Sequence, residues 1–512
     1  MTKLDLKNED QIDLCERYLW SLALGAYPNS EVVKKLFSTY KKSSHEIPAK
    51  LNETTLLSLA SMSYKLRQTI GSVGKEVSQK IKRYILEKLR EYKGETSFPY
   101  LRAIKNLKSQ TTIPDLLKKI KEGTLKEGVF TWKALKAFGK DNWTTEVKSV
   151  ARKSFLQLDR KYDTSSRTIA SEILLQSNPD DKTLNEMIYY LASNDTATEV
   201  KQYVLQTIRM LAEDDPQLEE SVLRIIKSDK RLNNYSVLNP RGLSTAIRRH
   251  FTKSHSGSGS LVSLQEISSS VVKRGVVDIL WSKKEGISEL VSLGIFTSGL
   301  TSFMSSETEE TDEEPMSAGI ELTVLGNQLR PFVFFNGQGE LMGHVWSGTA
   351  SDRTTANQAL TMLQDHLELL RLGSGFIVEL ELKGAVSLDL AGKIEISLWG
   401  RTADSVVEKC AGIFLSGSMK VDTSFVRSQI EFTVTMEPQL KLESDLDFSS
   451  NMKCCLKFSQ VDVLLKHNIY KIERIVGSKH KLRIAKYKRS TIPGVTYSLN
   501  RKNNRMCSSN YQ

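Results

Sequence analysis

Catalysis, metal binding and redox chemistry begin with histidine, cysteine and carboxylate side chains, and in this 512-residue chain those residues are dispersed. The seven histidines, His45, His250, His255, His344, His366, His467 and His480, show no metal-ligand spacing. Asp365-His366 is the nearest approach to a dyad, and in a helix such a pair is an ordinary surface contact. No GxSxG, HExxH, P-loop or GxGxxG motif occurs. The cysteines, Cys15, Cys410, Cys454, Cys455 and Cys507, are odd in number and form no CxxC. Adjacent Cys454 and Cys455 point to opposite faces of a strand, so they neither bridge each other nor share a metal. This pattern leaves the redox compartment open. Sequons at Asn52, Asn142, Asn194 and Asn234 permit a secretory reading without requiring one. No enzyme, metal or cofactor is expected.

Composition narrows the class further. An apolar share of 39% with 26% charged residues suits a globular protein. No run nears the ~20 apolar residues of a spanning helix. The N-terminus, MTKLDLKNEDQIDLCERYLW, reads as amphipathic helix without a signal peptide's apolar core. The net charge of +12 is segregated: +12 over residues 1–250, +1 over 251–300, −13 over 301–450 and +12 over 451–512. Such blocks mark partner-facing surfaces, not a nucleic-acid binder. The basic stretch His480–Arg489 could touch phosphates or anionic headgroups, but reads more simply as a solvated strand with Lys and Arg outward.

The elements that would have to position any site carry the strongest pattern. Phe376, Val378, Leu380, Leu382, Val386, Leu388, Leu390, Ile394, Ile396 and Leu398 are all even-numbered, with Glu, Lys, Asp and Ser between them. Successive strand side chains alternate faces, so this parity makes one apolar and one wet face. Gly384 and Gly392 would mark bends. The parity returns in Ile430, Phe432, Val434, Met436, Leu440, Leu442, Leu446 and Phe448. No helical pattern separates these strands, so the sheet is expected to be antiparallel. Leaving ten such side chains wet would forfeit roughly 15–30 kcal/mol at ~1.5–3 each, more than the ~5–15 kcal/mol net stability of a domain. A second sheet, a helix layer or a bound lipid must cover that face.

The first half reads as helix after helix, from Arg17–Ala26 and Glu31–Tyr40, with Ser30 as an N-cap, to Thr198–Ala212 and Leu218–Ile226. Pairs recur at roughly 35–45 residues, the spacing of a curved helical solenoid. Lys253–Ser263, KSHSGSGSLVS, reads as an exposed linker. The acidic Ser305–Pro315 reads as a surface loop. Strands follow, first over Val271–Trp281 and Glu289–Phe296. One helix is expected at Thr355–Leu372, where Ala359, Leu360, Leu363, Leu367 and Leu370 fall at helical spacing. It would pack on the sheet or gate the mouth of a cavity.

Several ordered stretches resemble one family. Leu329–Gly337 (LRPFVFFNG), Glu395–Arg401 (EISLWGR) and Val421–Val426 (VDTSFV) resemble the lipid-binding region of the microsomal triglyceride transfer protein large subunit. Arg17–Asn29, Tyr100–Leu107 and Thr168–Pro179 look like that family's helical domain. The family stands with the large lipid transfer proteins, alongside vitellogenin and apolipoprotein B. The resemblance implies an α+β fold: a helical horseshoe over 1–252, then a mainly antiparallel two-sheet lipid-binding region over 253–512, its sheets flanking a lipid cavity. It implies transfer of triglyceride, phospholipid and cholesteryl ester between membranes and onto nascent apolipoprotein B-type particles. It further implies a heterodimer with protein disulfide isomerase in the endoplasmic reticulum lumen, and transient membrane contact. Met1 aligns inside the helical domain, so the family's signal peptide and β-barrel are not expected in this chain. Of the family's two C-terminal cysteines, Val495 replaces the first, so a terminal disulfide through Cys507 is not expected either.

Drawing a sixteen-carbon chain into water costs ~13 kcal/mol at ~0.8 per CH2; an apolar wall removes that barrier without chemistry. The residues expected to line it are Leu329, Val333, Phe335, Leu363, Leu367, the even residues Phe376 to Leu398, and Ile430, Phe432, Val434 and Met436. A dry sandwich core would use the same side chains; the resemblance favours the cavity. A yolk-type storage lipoprotein and a non-enzymatic helical-repeat scaffold are the competing classes.

Overall fold

The computed structural model describes residues 8–44, 46–68, 72–232, 242–254, 257–268, 271–283, 286–298, 317–336, 354–363, 365–372, 375–397, 402–423, 426–447, 453–474, 481–499 and 501–509. Ser305–Pro315, Leu398, Phe448 and Asn234 therefore lie outside the described residues.

Among the described residues twelve α-helices come first: α1 (Glu9–Leu24), α2 (Ser30–Ser43), α3 (Ala49–Gln68), α4 (Ser72–Glu91), α5 (Phe98–Leu107), α6 (Ile113–Glu122), α7 (Leu125–Ala137), α8 (Thr145–Leu156), α9 (Thr164–Gln176), α10 (Asp181–Leu191), α11 (Thr198–Ala212) and α12 (Pro216–Ser228). Helix α2 is capped one residue earlier than the sequence suggests. The Asn29 side chain accepts from the backbone of Glu31 at 2.9 Å and Val32 at 3.3 Å. Helix α7 runs continuously through Gly128 near its start. It is secured by a capping box in which Thr124 and Glu127 bond each other's backbone N–H.

A seven-stranded antiparallel sheet follows: β1 (Thr245–Ser254), β2 (Gly257–Ser268), β3 (Val271–Lys283), β4 (Gly286–Ser298), β5 (Ser317–Val324), β6 (Asn327–Gln328) and β7 (Phe332–Asn336). The expected linker at Lys253–Ser263 is instead the β1–β2 hairpin, with Leu261 and Val262 buried. Its glycines serve packing: a Cβ on Gly259 would stand 2.6 Å from the Phe251 ring. One sheet face carries Leu261, Val277, Leu293, Ile320 and Leu322, all buried.

The other face meets the helices through charge. Arg274 on β3 donates to Glu172 of α9 (2.8 Å), to Glu266 of β2 (3.1 Å), to Thr168 (3.0 Å) and to the Tyr203 hydroxyl of α11 (3.2 Å). Tyr203 donates to Glu172 at 2.6 Å, and Lys136 of α7 pairs with the same carboxylate. Lys133 reaches Glu321 of β5 at 2.9 Å. Asn106 of α5 brackets Gln328 of β6, accepting from its N–H at 2.7 Å and donating to its carbonyl at 2.8 Å. Tyr203, Met210, Ala246, Val262 and Leu264 form the apolar cluster beside this network.

The second sheet has ten strands: β8 (Thr354–Met362), β9 (His366–Arg371), β10 (Ile377–Ser397), β11 (Thr402–Asp422), β12 (Val426–Met436), β13 (Pro438–Asp447), β14 (Lys453–Gln460), β15 (Val463–Arg474), β16 (Lys481–Ile492) and β17 (Val495–Ser498), followed by α13 (Arg501–Ser509). The expected helix at Thr355–Leu372 is absent: its residues form β8 and β9, which pair with successive stretches of β10. The open edge of β10 offers those backbones a ladder, which overrides the helical spacing of the leucines. At Gly384 and Gly392, where bends are expected, β10 continues without interruption, and its ladder with β8 shifts register between Leu390 and Ala391. Cys455 and Cys507 form a disulfide tying α13 to β14, against the expectation of none. The partner of Cys507 is one of the adjacent pair on β14, which Val495 does not affect.

The chain divides into two compact units, one comprising residues 1–12 and 27–343, the other Asp13–Ala26 and His344–Gln512.

Replacing Arg274 with Met should destabilise the protein by about 3–5 kcal/mol, since it leaves buried carboxylates without their cation; the urea midpoint reads this. Burial alone would raise the Glu172 carboxyl, yet Lys136 and Arg274 outweigh it and hold it at about 2. A depressed carboxyl stabilises the fold above its unfolded pKa near ~4.3 and loses that contribution as pH falls toward ~2. The wild type should therefore lose stability over that window, and Arg274→Met should lose less. Replacing Cys455 with Ser should cost about 2–4 kcal/mol, and hydrogen exchange should quicken first in Arg501–Ser509.

Candidate functional site

The ladder between β10 and β11 pairs every residue from Val378, opposite Val421, to Ser397, opposite Thr402. Directly opposed residues share a face, so the even residues of β10 stand beside the odd residues of β11. Leu380 opposes Met419, Val386 opposes Ile413 and Leu388 opposes Ala411. Strand β12 continues the same face, with Ile430 opposite Met419, Phe432 opposite Gly417, Val434 opposite Leu415 and Met436 opposite Ile413. Strand β13 takes over the lower half of β11, setting Leu442 opposite Val407. The two sequence blocks of matching parity thus form one wall of one sheet.

Burial varies across it. Val378, Leu388, Leu390, Val407, Leu440, Leu442 and Leu456 are buried. Leu380, Leu382, Val386, Ile430, Phe432, Val434 and Met436 are half-buried. Phe376, just before β10, is exposed. Ile394 and Ile396 pair through their backbones with Ser405 and Ala403, at the phase of the wall. Leu363 joins the wall: its N–H donates to the Gly384 carbonyl at 2.9 Å, and its side chain covers that glycine.

Not every expected residue belongs there. Leu367 opposes Glu381, which puts it on the wet face, 66% exposed. Its helical spacing from Leu363 loses meaning once Leu367 lies in β9 and Leu363 just after the end of β8. His366, expected beside Asp365 on a helix, hydrogen-bonds Glu368 at 3.1 Å on β9. Val333 and Phe335 belong to β7 of the seven-stranded sheet, and Leu329 lies between β6 and β7, its N–H donating to the Leu322 carbonyl of β5 at 2.8 Å. Leu329 and Phe335 are buried there, but a bulge between Ala318 and Gly319 puts Val333 on the opposite face, exposed.

The wet face is laced by half-buried pairs, Lys420 with Glu379 at 3.4 Å and Lys441 with Glu408 at 3.5 Å. Among the described residues no cluster of His, Cys, Asp and Glu could hold a metal ion. The sequence reading missed β11, although Val407, Ala411, Ile413, Leu415, Met419 and Val421 repeat at period two, as the wall requires. Small residues at Gly412, Ser416, Gly417 and Ser418 diluted that signal.

A helical layer followed by antiparallel sheets is the lipovitellin-like fold. A solved structure concerned with lipid–protein interactions in lipovitellin matches 95% of this chain and 52% of that one, with TM-score 0.59 at 13% identity. The family model of the MTP large subunit, lipid-binding domain, matches residues 222–512, and that of the vitellogenin TPR domain matches residues 8–209. The microsomal triacylglycerol transfer protein of Drosophila melanogaster is 34% identical over 97% of this chain and 57% of its own length. The large subunits of the microsomal triglyceride transfer protein from Bos taurus and Homo sapiens are each 27% identical over 98% of this chain and 56% of theirs. The chain belongs to the microsomal triglyceride transfer protein large-subunit family. It spans little more than half the length of these relatives.

A Cβ on Gly384 would stand 2.8 Å from both the Leu415 side chain and the Phe414 carbonyl. Gly384→Val should therefore cost about 1–3 kcal/mol through overpacking, seen as faster hydrogen exchange confined to the β10–β11 ladder.

Proposed function

We propose that this chain carries lipid rather than catalysing a reaction, and that it holds acyl chains on the apolar face of the ten-stranded sheet. Cargoes of triglyceride, phospholipid and cholesteryl ester fit that face, which offers broad hydrocarbon contact to any acyl chain. The observation that carries the reading is the single phase of apolar residues through β10, β11, β12 and β13. A sheet so built presents far more apolar surface on one side than a solvated face tolerates. Membership of a lipid-binding-domain family supports the same conclusion. The wall residues we assign to lipid contact are Val378, Leu380, Leu382, Val386, Leu388, Leu390, Ile430, Phe432, Val434, Met436 and Leu363.

Delivery to nascent apolipoprotein B-type particles, pairing with protein disulfide isomerase and work in the endoplasmic reticulum lumen complete the proposal. The names of the relatives support the transfer activity, and the Cys455–Cys507 disulfide suits an oxidising compartment.

The test substitutes Leu388 and Leu442 together with Asp, placing two carboxylates in the wall. Transfer of labelled triglyceride between vesicles should fall at least tenfold while circular dichroism shows a folded chain. Undiminished transfer by the folded double variant would overturn the proposal.

A further inference from the structure

The wall contains one buried cation. On its face of β11 the series runs Val407, Lys409, Ala411, Ile413 and Leu415. Lys409 stands directly between Leu390 of β10 and Leu440 of β13, and its residue is 4% exposed. Its Nζ has no hydrogen-bond partner among the described residues. Burial alone lowers the amine to about 7, with no neighbouring carboxylate to oppose the shift. Glu408, the acid beside it in sequence, points to the wet face and pairs with Lys441.

A second unpaired polar group flanks the same leucine. Asn357 of β8 opposes Leu390 from the other side and is 6% exposed, with neither its amide nitrogen nor its amide oxygen bonded. Antiparallel neighbours lie ~4.8 Å apart, so Asn357 and Lys409 are about 10 Å apart across Leu390. The four-carbon stem of a lysine spans much of that gap. Buried polar side chains are nearly always bonded, and an unpaired buried charge is costlier than any apolar residue of equal volume. The packing of this sheet would be served better by Met at 409 and Leu at 357. Both residues make sense once a polar ligand group lies between them.

We propose that Lys409 and Asn357 form a headgroup site in the wall for the carboxylate of an unesterified fatty acid, its alkyl chain lying along Leu388, Val407 and Leu442. This rests on the lipid-carrying reading above and adds a specific cargo to it. A carboxylate neutralises the ammonium and accepts from the Asn357 amide. A glyceride ester would leave the charge uncompensated. A phosphatidylcholine head brings a cation of its own, for which Val407, Lys409, Leu440 and Leu442 supply no anion.

The test titrates the full chain with cis-parinaric acid and with its methyl ester, which differ only in the charged group. The wild type should bind the acid at least tenfold more tightly than the ester. Lys409→Met, close in volume and free of the buried charge, should fold as well, lose that preference and bind the ester undiminished. Asn357→Leu should weaken acid binding without touching the ester. Equal binding of acid and ester by the wild type, or a preference that survives in Lys409→Met, overturns the site. Stronger displacement of the probe by phosphatidic acid than by oleate reassigns it to phosphate and likewise overturns the carboxylate. Triglyceride transfer measured on the same wild-type preparation separates the two proposals. Its absence defeats lipid carriage itself, whereas transfer without acid preference defeats only this site.

Discussion

The ten-stranded sheet hangs on the ladder between β10 and β11. Strands β8 and β9 take the free edge of β10, while β12 and β13 share the outer edge of β11 end to end. Strand side chains repeat every two residues, so a one-residue slip in that ladder would turn the wall leucines toward water and the glutamates inward. The long, unshifted register keeps Leu388, Leu390, Val407, Leu440 and Leu442 on one side. Hydrophobic burial and backbone pairing select the same register, and the apolar face follows from both.

The seven-stranded sheet solves a different problem. Its helix-facing side is not its greasier side: Arg274, Glu266 and Glu321 point toward the helices, while Leu293, Ile320 and Leu322 occupy the other face. Arg274 gathers α9, α11, β2 and β3 about one guanidinium. Buried ion pairs contribute little net stability against a hydrophobic replacement, but a wrong register would strand several charges. The network therefore fixes alignment, and the other face is left to carry Leu261, Val277, Leu293, Ile320 and Leu322.

Lys409 belongs to neither arrangement. The charges around Arg274 satisfy each other, whereas on its face of the sheet Lys409 stands among Leu390, Leu440, Val407 and Ala411, its Nζ without a partner among the described residues. A polar group retained against packing and electrostatics at the centre of a wall is the kind of local inconsistency that accompanies a site. On the proposed lipid-carrying role, a headgroup seat among the leucines reconciles that residue with its surroundings.

Much was legible in order along the chain. Local periodicity marked most helices, one of them, Thr198–Ala212, to the residue. The even parity of β10 and β12 identified the wall, because solvent and core impose alternation on any half-buried strand. What failed depended on contacts distant in sequence. Thr354–Met362 and His366–Arg371 have helical spacing but became strands because β10 offered them an edge. Gly257 and Gly259 read as linker but make room for Trp281 and Phe251. Cys507 found its partner 52 residues away. By itself, then, the sequence determined which faces are apolar, since that follows from neighbours two to four residues apart. Only the tertiary structure decided which strands share a face, which edge captures which segment, and that Lys409 lies buried between leucines, because those depend on pairings that no local pattern encodes.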